Sequence, residues 1–304
     1  MKIAIFFVGA LHDTGFNANA LVGVEAARKL AGAEIEVVNG TPFEPKAMTA
    51  ALDAAAARSD AVIFIGGQGN QVTPKVAARY PERAFAVVQG EVTGPNIASY
   101  DVLQEQSAFL AGCLAAKTTK TGVVGHLSGH RVSPGLKGRA AYAAGVAHVD
   151  RTIQIITGFC GTQDDSSVTE LWANAIAEQG ADILFTMLNA ARNGATRACR
   201  ASGIRQIGNV GNWTVDDPET YIGSAVARID LGVIRAASDL LSGTRPRLVQ
   251  HLGLSDKAVC LCTAPDVSPR ILEELSDVAA KISAAELAVP TEYNGPEFTP
   301  VGQR

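Results

Sequence analysis

The segment "DAVIFIGGQGN" at residues 60–70 joins a short apolar run to a turn with three glycines. The run is continuous rather than alternating and is rich in Val and Ile, which is typical of a strand buried on both faces of a parallel sheet. Similar apolar runs, most of them followed by a segment with helical spacing, recur along the chain. The sequence therefore predicts an α/β protein in which helices cover parallel sheets.

The strand–helix units form two series. The first extends from "KIAIFFVG" at residues 2–9 to "RAFAVVQG" at residues 83–90, and the second extends from "TGVVGHLSG" at residues 121–129 to "IRQIGNVGNW" at residues 204–213. We expect the seam between them near Ser99–Gln104. The helix and strand patterns after residue 213 add elements to both series. This indicates two domains between which the chain crosses more than once.

Composition and charge exclude several classes of protein. The 304 residues are 47% hydrophobic and 18% charged, so a disordered chain is not expected. The net charge of -4 is spread without a basic block, which disfavours nucleic acid as a partner. No apolar run approaches the ~18 residues of a membrane span.

The start of the chain bears on localisation. Met1 and Lys2 lead directly into the first predicted strand, without the pattern of a signal peptide. We therefore expect a cytoplasmic protein if Met1 is the native start. If an export signal has been trimmed, we expect a periplasmic protein or a cell-envelope lipoprotein.

The five cysteines are an odd number and predict no disulfide framework. Cys260 and Cys262 alternate with apolar neighbours, so we expect them on one face of a strand. We expect all five thiols to be buried and inert, since cysteine is among the most buried residue types.

Amides and aromatic residues follow the predicted strands. They are Phe16, Asn17, Gln68, Gln89, Asn189, Asn212 and Trp213. Amides donate and accept hydrogen bonds and aromatic faces stack on flat molecules, so this set suits a neutral, planar, polar ligand such as a nucleobase. Two alternatives stay open at this point: the amides cap helices, and the aromatic residues pack in the core.

Signals for catalysis or metal binding are weak. "HLSGH" at residues 126–130 carries two histidines, but it lies at a strand end and lacks a carboxylate at the spacing of a zinc protease. "GGQGN" lacks the Lys of a P-loop, and Asp164–Asp165 precede an apolar helix that we expect them to cap. Because no acid–base pair emerges, we predict that the protein is not an enzyme and has no cofactor and no metal.

Five segments share their order and spacing with one known family. They are "DTGFN" (13–17), "ARYPERAFAVVQG" (78–90), "QEQSAFLAGCLAAKTTKTGVVGHLSG" (104–129), "EQGADILF" (178–185) and "IGNVGNW" (207–213). Over nearly the whole chain these motifs resemble the basic membrane protein family of ABC-transporter substrate-binding proteins, which is related to the purine nucleoside receptors.

The resemblance implies the type I periplasmic-binding fold, with two doubly wound parallel-sheet lobes joined by three crossovers and the ligand in the interlobe cleft. We accordingly place the N-terminal lobe at residues 1–102 and 228–252, and the C-terminal lobe with an irregular tail at residues 103–227 and 253–304. The implied function is a solute-binding receptor. Its expected partners are a purine base, a nucleoside or a similar heteroaromatic, and the membrane permease of an ABC importer.

The resemblance also assigns roles to residues. In the family the aromatic residue of the first loop stacks on the purine ring, so Phe16 takes this role and Asn17 lies beside it. The chain departs from the nucleoside receptors at three positions. Phe7 and Val210 stand where they have carboxylates, and Ala227 stands where they have Lys.

The departures bear on the ligand. Losing these charged groups removes partners for ribose hydroxyls, and the extra aromatic residues Phe7 and Trp213 favour a smaller, flatter molecule. We therefore add Phe7 to the ligand-binding residues and favour a free base at least as much as a nucleoside, with Asp13, Asp101 and Arg228 as alternative sources of ribose contacts. Two other functions stay open: a cytoplasmic ligand sensor of the same fold, and an enzyme that acts on a purine or nucleoside.

Overall fold

The computed structural model describes residues 1–302. Its strands are β1 (Lys2–Val8), β2 (Glu34–Thr41), β3 (Ala61–Ile65), β4 (Ala84–Val88), β5 (Ile97–Val102), β6 (Val123–Ser128), β7 (Gln154–Phe159), β8 (Ile183–Met187), β9 (Arg205–Val210), β10 (Tyr221–Ala227), β11 (Gln250–Leu252) and β12 (Val259–Thr263). Its helices are α1 (Phe16–Ala27), α2 (Pro45–Ala57), α3 (Gly69–Ala77), α4 (Gln104–Thr118), α5 (Ser133–Val149), α6 (Ser166–Glu178), α7 (Arg192–Ser202), α8 (Ile229–Ser242) and α9 (Pro269–Ser283). Within residues 1–302, none of these helices has the length and apolar character needed to cross a bilayer.

The chain divides into two compact units. The first comprises Met1–Val102 and Arg228–Leu252, and the second comprises Leu103–Ala227 and the chain from Gly253 onward. The chain therefore passes from one unit to the other three times, and each unit contains one six-stranded sheet.

In the first unit the strand order is β11-β5-β4-β3-β1-β2, and the strands pair in parallel. Every residue of β3 is buried, which confirms the prediction of a strand covered on both faces. Phe6 of β1 packs with Leu52 of α2 and Val76 of α3 in one core cluster.

In the second unit the strand order is β12-β10-β9-β8-β6-β7. The strands pair in parallel except β12, which is antiparallel to β10. Most strands of both sheets are therefore parallel and end at one edge of their sheet, where the loops carry the side chains described below.

Residues 97–102 form a strand that the sequence did not predict. All six residues of β5, "IASYDV", are buried although three of them are polar. Hydrogen bonds make this burial possible: the Tyr100 hydroxyl donates to Asp239 at 3.0 Å, and Asp101 Oδ1 accepts from Gln89 Nε2 at 3.0 Å. A search for apolar runs misses such a strand because its polar side chains are paired with residues distant in the sequence.

The cysteines differ in their surroundings. Cys113 and Cys199 are buried, Cys160 and Cys262 are half-buried, and Cys260 is exposed. The prediction that all five thiols are buried is therefore wrong for Cys260, because β12 is an edge strand and this position faces solvent. The prediction that Cys260 and Cys262 share a strand face is confirmed by the 4.0 Å distance between their Sγ atoms.

Part of the C-terminal tail is held against β7. The backbone N–H of Phe298 donates to the Thr157 carbonyl at 2.7 Å, and the Phe298 ring meets the Trp172 ring edge-on at a centroid distance of 6.2 Å. Glu297 forms ion pairs with Arg131 and Arg139. The tail is irregular in conformation but contributes to the packing of the second unit.

Helices α4 and α5 approach each other closely because glycine lies at their contact. A Cβ atom at Gly112 would lie 2.1 Å from the carbonyl oxygen of Tyr142, and one at Gly145 would lie 2.1 Å from that of Phe109. Neither oxygen can move without its helix. Glycine at both positions is therefore required for the contact that packs these helices into the core of the second unit.

We expect Gly145→Ala to destabilise the second unit by about 1–3 kcal/mol, because the added methyl group overpacks against a backbone carbonyl. Gly135→Ala on the same helix is the matched control. A Cβ there has its nearest neighbour at 3.4 Å, so this variant should be neutral or gain up to about 1 kcal/mol from helix propensity. Urea unfolding measures both variants, and equal stability of Gly145→Ala and the unmodified protein would contradict the packing argument.

His126 is a fully buried residue of β6. Its Nδ1 lies 2.8 Å from Thr157 Oγ1, and its Nε2 lies 2.9 Å from Ser128 Oγ. Three rings surround the imidazole at centroid distances of 5.8–6.1 Å: Tyr142, Phe159 and Phe185. Burial lowers the pKa of His126 to about 3, so the imidazole is a neutral, hydrogen-bonded part of the core.

This burial predicts a pH dependence of stability. An unfolded chain protonates His126 near its ordinary pKa of 6.5, whereas the folded protein does so only near pH 3. The unfolded state therefore binds more protons between these values, and the free energy of unfolding should fall by about 1.4 kcal/mol per pH unit as the pH drops below 6.5. Urea unfolding between pH 7.5 and pH 4.5 measures this slope.

His126→Asn should reduce the slope by about one proton. The same slope in His126→Asn and in the unmodified protein would show that other groups cause the pH dependence.

Candidate ligand-binding residues

The loop between β1 and α1 is organised by two polar side chains. The carboxylate of Asp13 accepts three backbone hydrogen bonds of 2.9 Å, from Gly15, Asn17 and Ala18. Asn17 Nδ2 donates to the carbonyls of Val8 at 2.8 Å and Ala10 at 2.9 Å. Both side chains thus satisfy backbone groups where the strand becomes a helix. The Asn17 amide N–H groups therefore bond the strand end and the loop and do not cap α1.

This loop places Phe16 as the first residue of α1, where the ring is half-buried. Phe7 lies differently: it has no exposed surface and is in register with Ile65 of β3. Phe7 is therefore part of the sheet interior in this structure, and its contact with a ligand stays a prediction.

Gln68 lies at the carboxyl end of β3, at the start of α3. Its side chain makes no capping hydrogen bond to the helix. The amide instead folds over Gly66, where a Cβ atom would lie 2.5 Å from Gln68 Oε1. Gly66 has φ of +115°, a backbone conformation that residues with a side chain rarely adopt. The glycine thus gives Gln68 the room to lie at the sheet edge.

Gln89 follows β4 and is buried. Its Nε2 donates to Asp101 Oδ1 at 3.0 Å and to the Val102 carbonyl at 3.1 Å. Since both neighbours are acceptors, the amide can be oriented in only one way. The opposite atom, Gln89 Oε1, is buried without a hydrogen-bond partner. Gln89 therefore keeps one buried acceptor that no described residue satisfies.

The strand order brings these positions together, because β4, β3 and β1 are neighbours in the first sheet. Gln89, Gln68 and Phe16 follow these three strands in turn. The first unit thus groups one aromatic ring and two amides at the carboxyl edge of its sheet.

In the second unit the corresponding feature is a stack of two planar side chains. The Arg192 guanidinium lies over the Trp213 ring at 3.3 Å from the centroid. Trp213 Nε1 donates to the Asn209 carbonyl at 2.9 Å, and its backbone N–H donates to Ser224 Oγ at 2.9 Å. A Cβ at Gly208 would lie 2.2 Å from the indole, so glycine at this position leaves the room that the Trp213 ring occupies.

Arg192 is 3% exposed and was missed from sequence. The sequence does carry a signal, because Arg192 is a cation five residues beyond Met187, the last residue of β8. A pattern made only of amides and aromatic residues at strand ends does not include it. The Arg192–Trp213 stack covers one face of the indole, so at most the other face of Trp213 remains for a ligand.

The two asparagines of the second unit have different contacts. Asn212 is exposed, and its Oδ1 accepts from the N–H of Thr214 at 3.3 Å and from its hydroxyl at 2.7 Å. These contacts form a local turn in the loop between β9 and β10, where the structure describes no helix for Asn212 to cap. Asn189 is half-buried, and its backbone N–H donates to Gln163 Oε1 at 3.1 Å. Capping by Asp165 is confirmed, since Oδ1 accepts from the N–H groups of Ser167 and Val168.

The charged alternatives for ribose contacts are engaged within the first unit. Asp13 holds its loop, Asp101 accepts from Gln89, and Arg228 pairs with Asp230 at 2.7 Å. In the second unit Val210 is buried with φ of 63°, an unusual conformation for a β-branched residue. In the part of the chain that the structure describes, no three His, Cys, Asp or Glu side chains are grouped to hold a metal.

Two doubly wound units linked by three crossovers define the type I periplasmic-binding fold, the architecture of many solute-binding proteins. The structure of an ABC transporter solute-binding protein from Aeropyrum pernix K1 matches with a TM-score of 0.83. It is 21% identical and covers 96% of this chain and 94% of its own. This likeness confirms the predicted fold.

The family model described as "ABC transporter substrate-binding protein PnrA-like" matches residues 1–292, and the chain belongs to this family. Basic membrane protein A2 of Borrelia garinii subsp. bavariensis is 25% identical, over 96% of this chain and 88% of the relative. An uncharacterized lipoprotein of Pyrococcus abyssi is 24% identical, over 85% of this chain and 68% of the relative. The predicted family is therefore confirmed.

Proposed function

We propose that this protein is the solute-binding receptor of an ABC importer and that its ligand is a purine base or a similar heteroaromatic. The observation that carries the choice of ligand is the unpaired Gln89 Oε1. A buried acceptor without a partner costs about 1–3 kcal/mol. The in-plane N–H groups of a nucleobase are donors that would satisfy it.

Planar groups present in each unit, taken separately, support a flat ligand. In the first unit Phe16 has a half-buried aromatic ring at the start of α1, and in the second unit at most one face of the Trp213 indole is left by Arg192. The amides of Gln68 and Asn189 supply neutral donors and acceptors for the edge of a base.

The polar groups favour a base over a nucleoside. A ribose hydroxyl against Val210 would lose its hydrogen bond with water, at about 1–3 kcal/mol for each unpaired group. Asp13 already accepts three backbone hydrogen bonds, and Arg228 already pairs with Asp230. The sugar hydroxyls would therefore be buried against Val210, which has no polar side-chain atom, or against Asp13 and Arg228, which already bond to other groups of the protein.

Phe16→Ala should weaken binding of the ligand by about 1–3 kcal/mol, the range for a lost aromatic stack. Phe16→Tyr keeps the ring and should retain most of the affinity. Phe43→Ala is the control for loss of an exposed ring elsewhere in the first unit and should bind normally. Calorimetry with adenine and guanine measures the effect, and unchanged affinity in Phe16→Ala would refute the stacking role.

Selectivity is tested with matched pairs, adenine against adenosine and guanine against guanosine. We expect the base of at least one pair to bind more tightly than its nucleoside, by a factor of ten or more if one hydroxyl is left unpaired at about 1.4 kcal/mol. Tighter binding of the nucleoside in each pair would show that a ribose subsite exists and that the argument from Val210 is wrong.

We further propose that the receptor works at the cell envelope with a membrane permease, and that it neither alters its ligand nor needs a cofactor. Its family consists of transporter substrate-binding proteins, and two relatives bear the name lipoprotein. These relatives give no support to the alternative of a cytoplasmic location. Ligand recovered unchanged after incubation with the protein would fit a receptor, whereas a product would indicate an enzyme.

A further inference from the structure

Cys260 and Cys262 form a pair of thiols on edge strand β12. Residues two apart on a strand project from the same face, and the two Sγ atoms lie 4.0 Å apart. Cys260 is exposed and Cys262 is half-buried, and neither belongs to a disulfide. Both thiols are thus within reach of an ion from solvent.

We propose that Cys260 and Cys262 chelate one thiophilic metal ion of the Cu(I) class. Metal–sulfur bonds are about 2.3 Å long, so an ion equidistant from both sulfurs would make an S–metal–S angle of about 120°. This angle suits a three-coordinate ion with one further ligand from solvent. The pair could therefore bind the ion with little movement of either side chain.

The number of protein ligands favours Cu(I) over zinc. Structural zinc sites use four protein ligands and catalytic sites use three. Among residues 1–302, no group of three or more His, Cys, Asp or Glu side chains is placed to hold a metal. Soft thiolates select Cu(I), which is stable with two or three ligands.

Strand geometry disfavours a disulfide bond between Cys260 and Cys262. Residues two apart in an antiparallel strand have Cα atoms about 6.8 Å apart, at the upper limit for a disulfide. β12 keeps regular pairing with β10 through both positions, since Cys260 lies opposite Val226 and Cys262 opposite Ser224. Closing a disulfide would require distortion of this pairing, whereas chelation would not.

Binding of a metal at this pair is coupled to loss of the thiol protons. The metal ligand is the thiolate, so binding of the ion releases protons from both cysteines.

The test is an anaerobic titration of the full chain with Cu(I), supplied as its acetonitrile complex, against the competing chelator bicinchoninate. We expect one ion per chain. Cys260→Ser and Cys262→Ser should each bind at least about a hundredfold more weakly, because the second sulfur of a chelate binds at high effective concentration. Cys160→Ser is the matched control, since Cys160 is half-buried and its thiol donates to the Thr162 carbonyl at 3.4 Å.

Undiminished affinity in either serine variant would overturn the site, and one ion per two chains would show bridging between copies instead of chelation. Zn(II) bound as tightly as Cu(I) would overturn the choice of ion. Thermal unfolding checks that the variants fold. If one does not, the titration is made on the unmodified sequence after alkylation of Cys260, and binding that persists would reject the proposal.

Discussion

In a parallel sheet every strand ends at the same edge, and the chain must turn there without leaving buried backbone groups unpaired. At β1 the Asp13 carboxylate and the Asn17 amide meet this demand by bonding the backbone of the loop itself. The side chains that complete this turn also fix where α1 begins. These hydrogen bonds also place Phe16 at the sheet edge. The same contacts therefore stabilise the fold and position the ring that we propose stacks on the ligand.

Gln89 differs from Asp13 and Asn17, because its polar atoms are not all paired within the loop. Its backbone has φ of 63°, and one of its amide atoms is buried without a partner. Left-handed conformations of this kind cost of order 1–3 kcal/mol and persist where the surrounding structure imposes them. Val210 has the same φ at the end of β9. The unsatisfied acceptor of Gln89 at a strand end is the feature from which we propose a binding role for this position.

The fold was largely predictable because most strands are continuous apolar runs, as in β3, and because caps such as Asp165 have a local signal. β5 was not, since the burial of Tyr100 and Asp101 depends on partners that only the folded chain supplies. For Cys260, periodicity identified the residues that share a face but not whether another element covers that face. Arg192 was missed for a similar reason, because its stack with Trp213 joins two segments that are separate in sequence.

Phe7 links the fold to the proposed selectivity. The nucleoside receptors that this chain resembles have a carboxylate at this position, whereas Phe7 has no exposed surface and pairs in register with Ile65. A carboxylate buried there would need a partner, because an uncompensated buried charge costs several kcal/mol. Such a receptor would depend on its ligand for part of its stability. With Phe7 this position of the sheet needs no charged partner, and we propose that the choice of ligand depends on planar stacking and neutral amides.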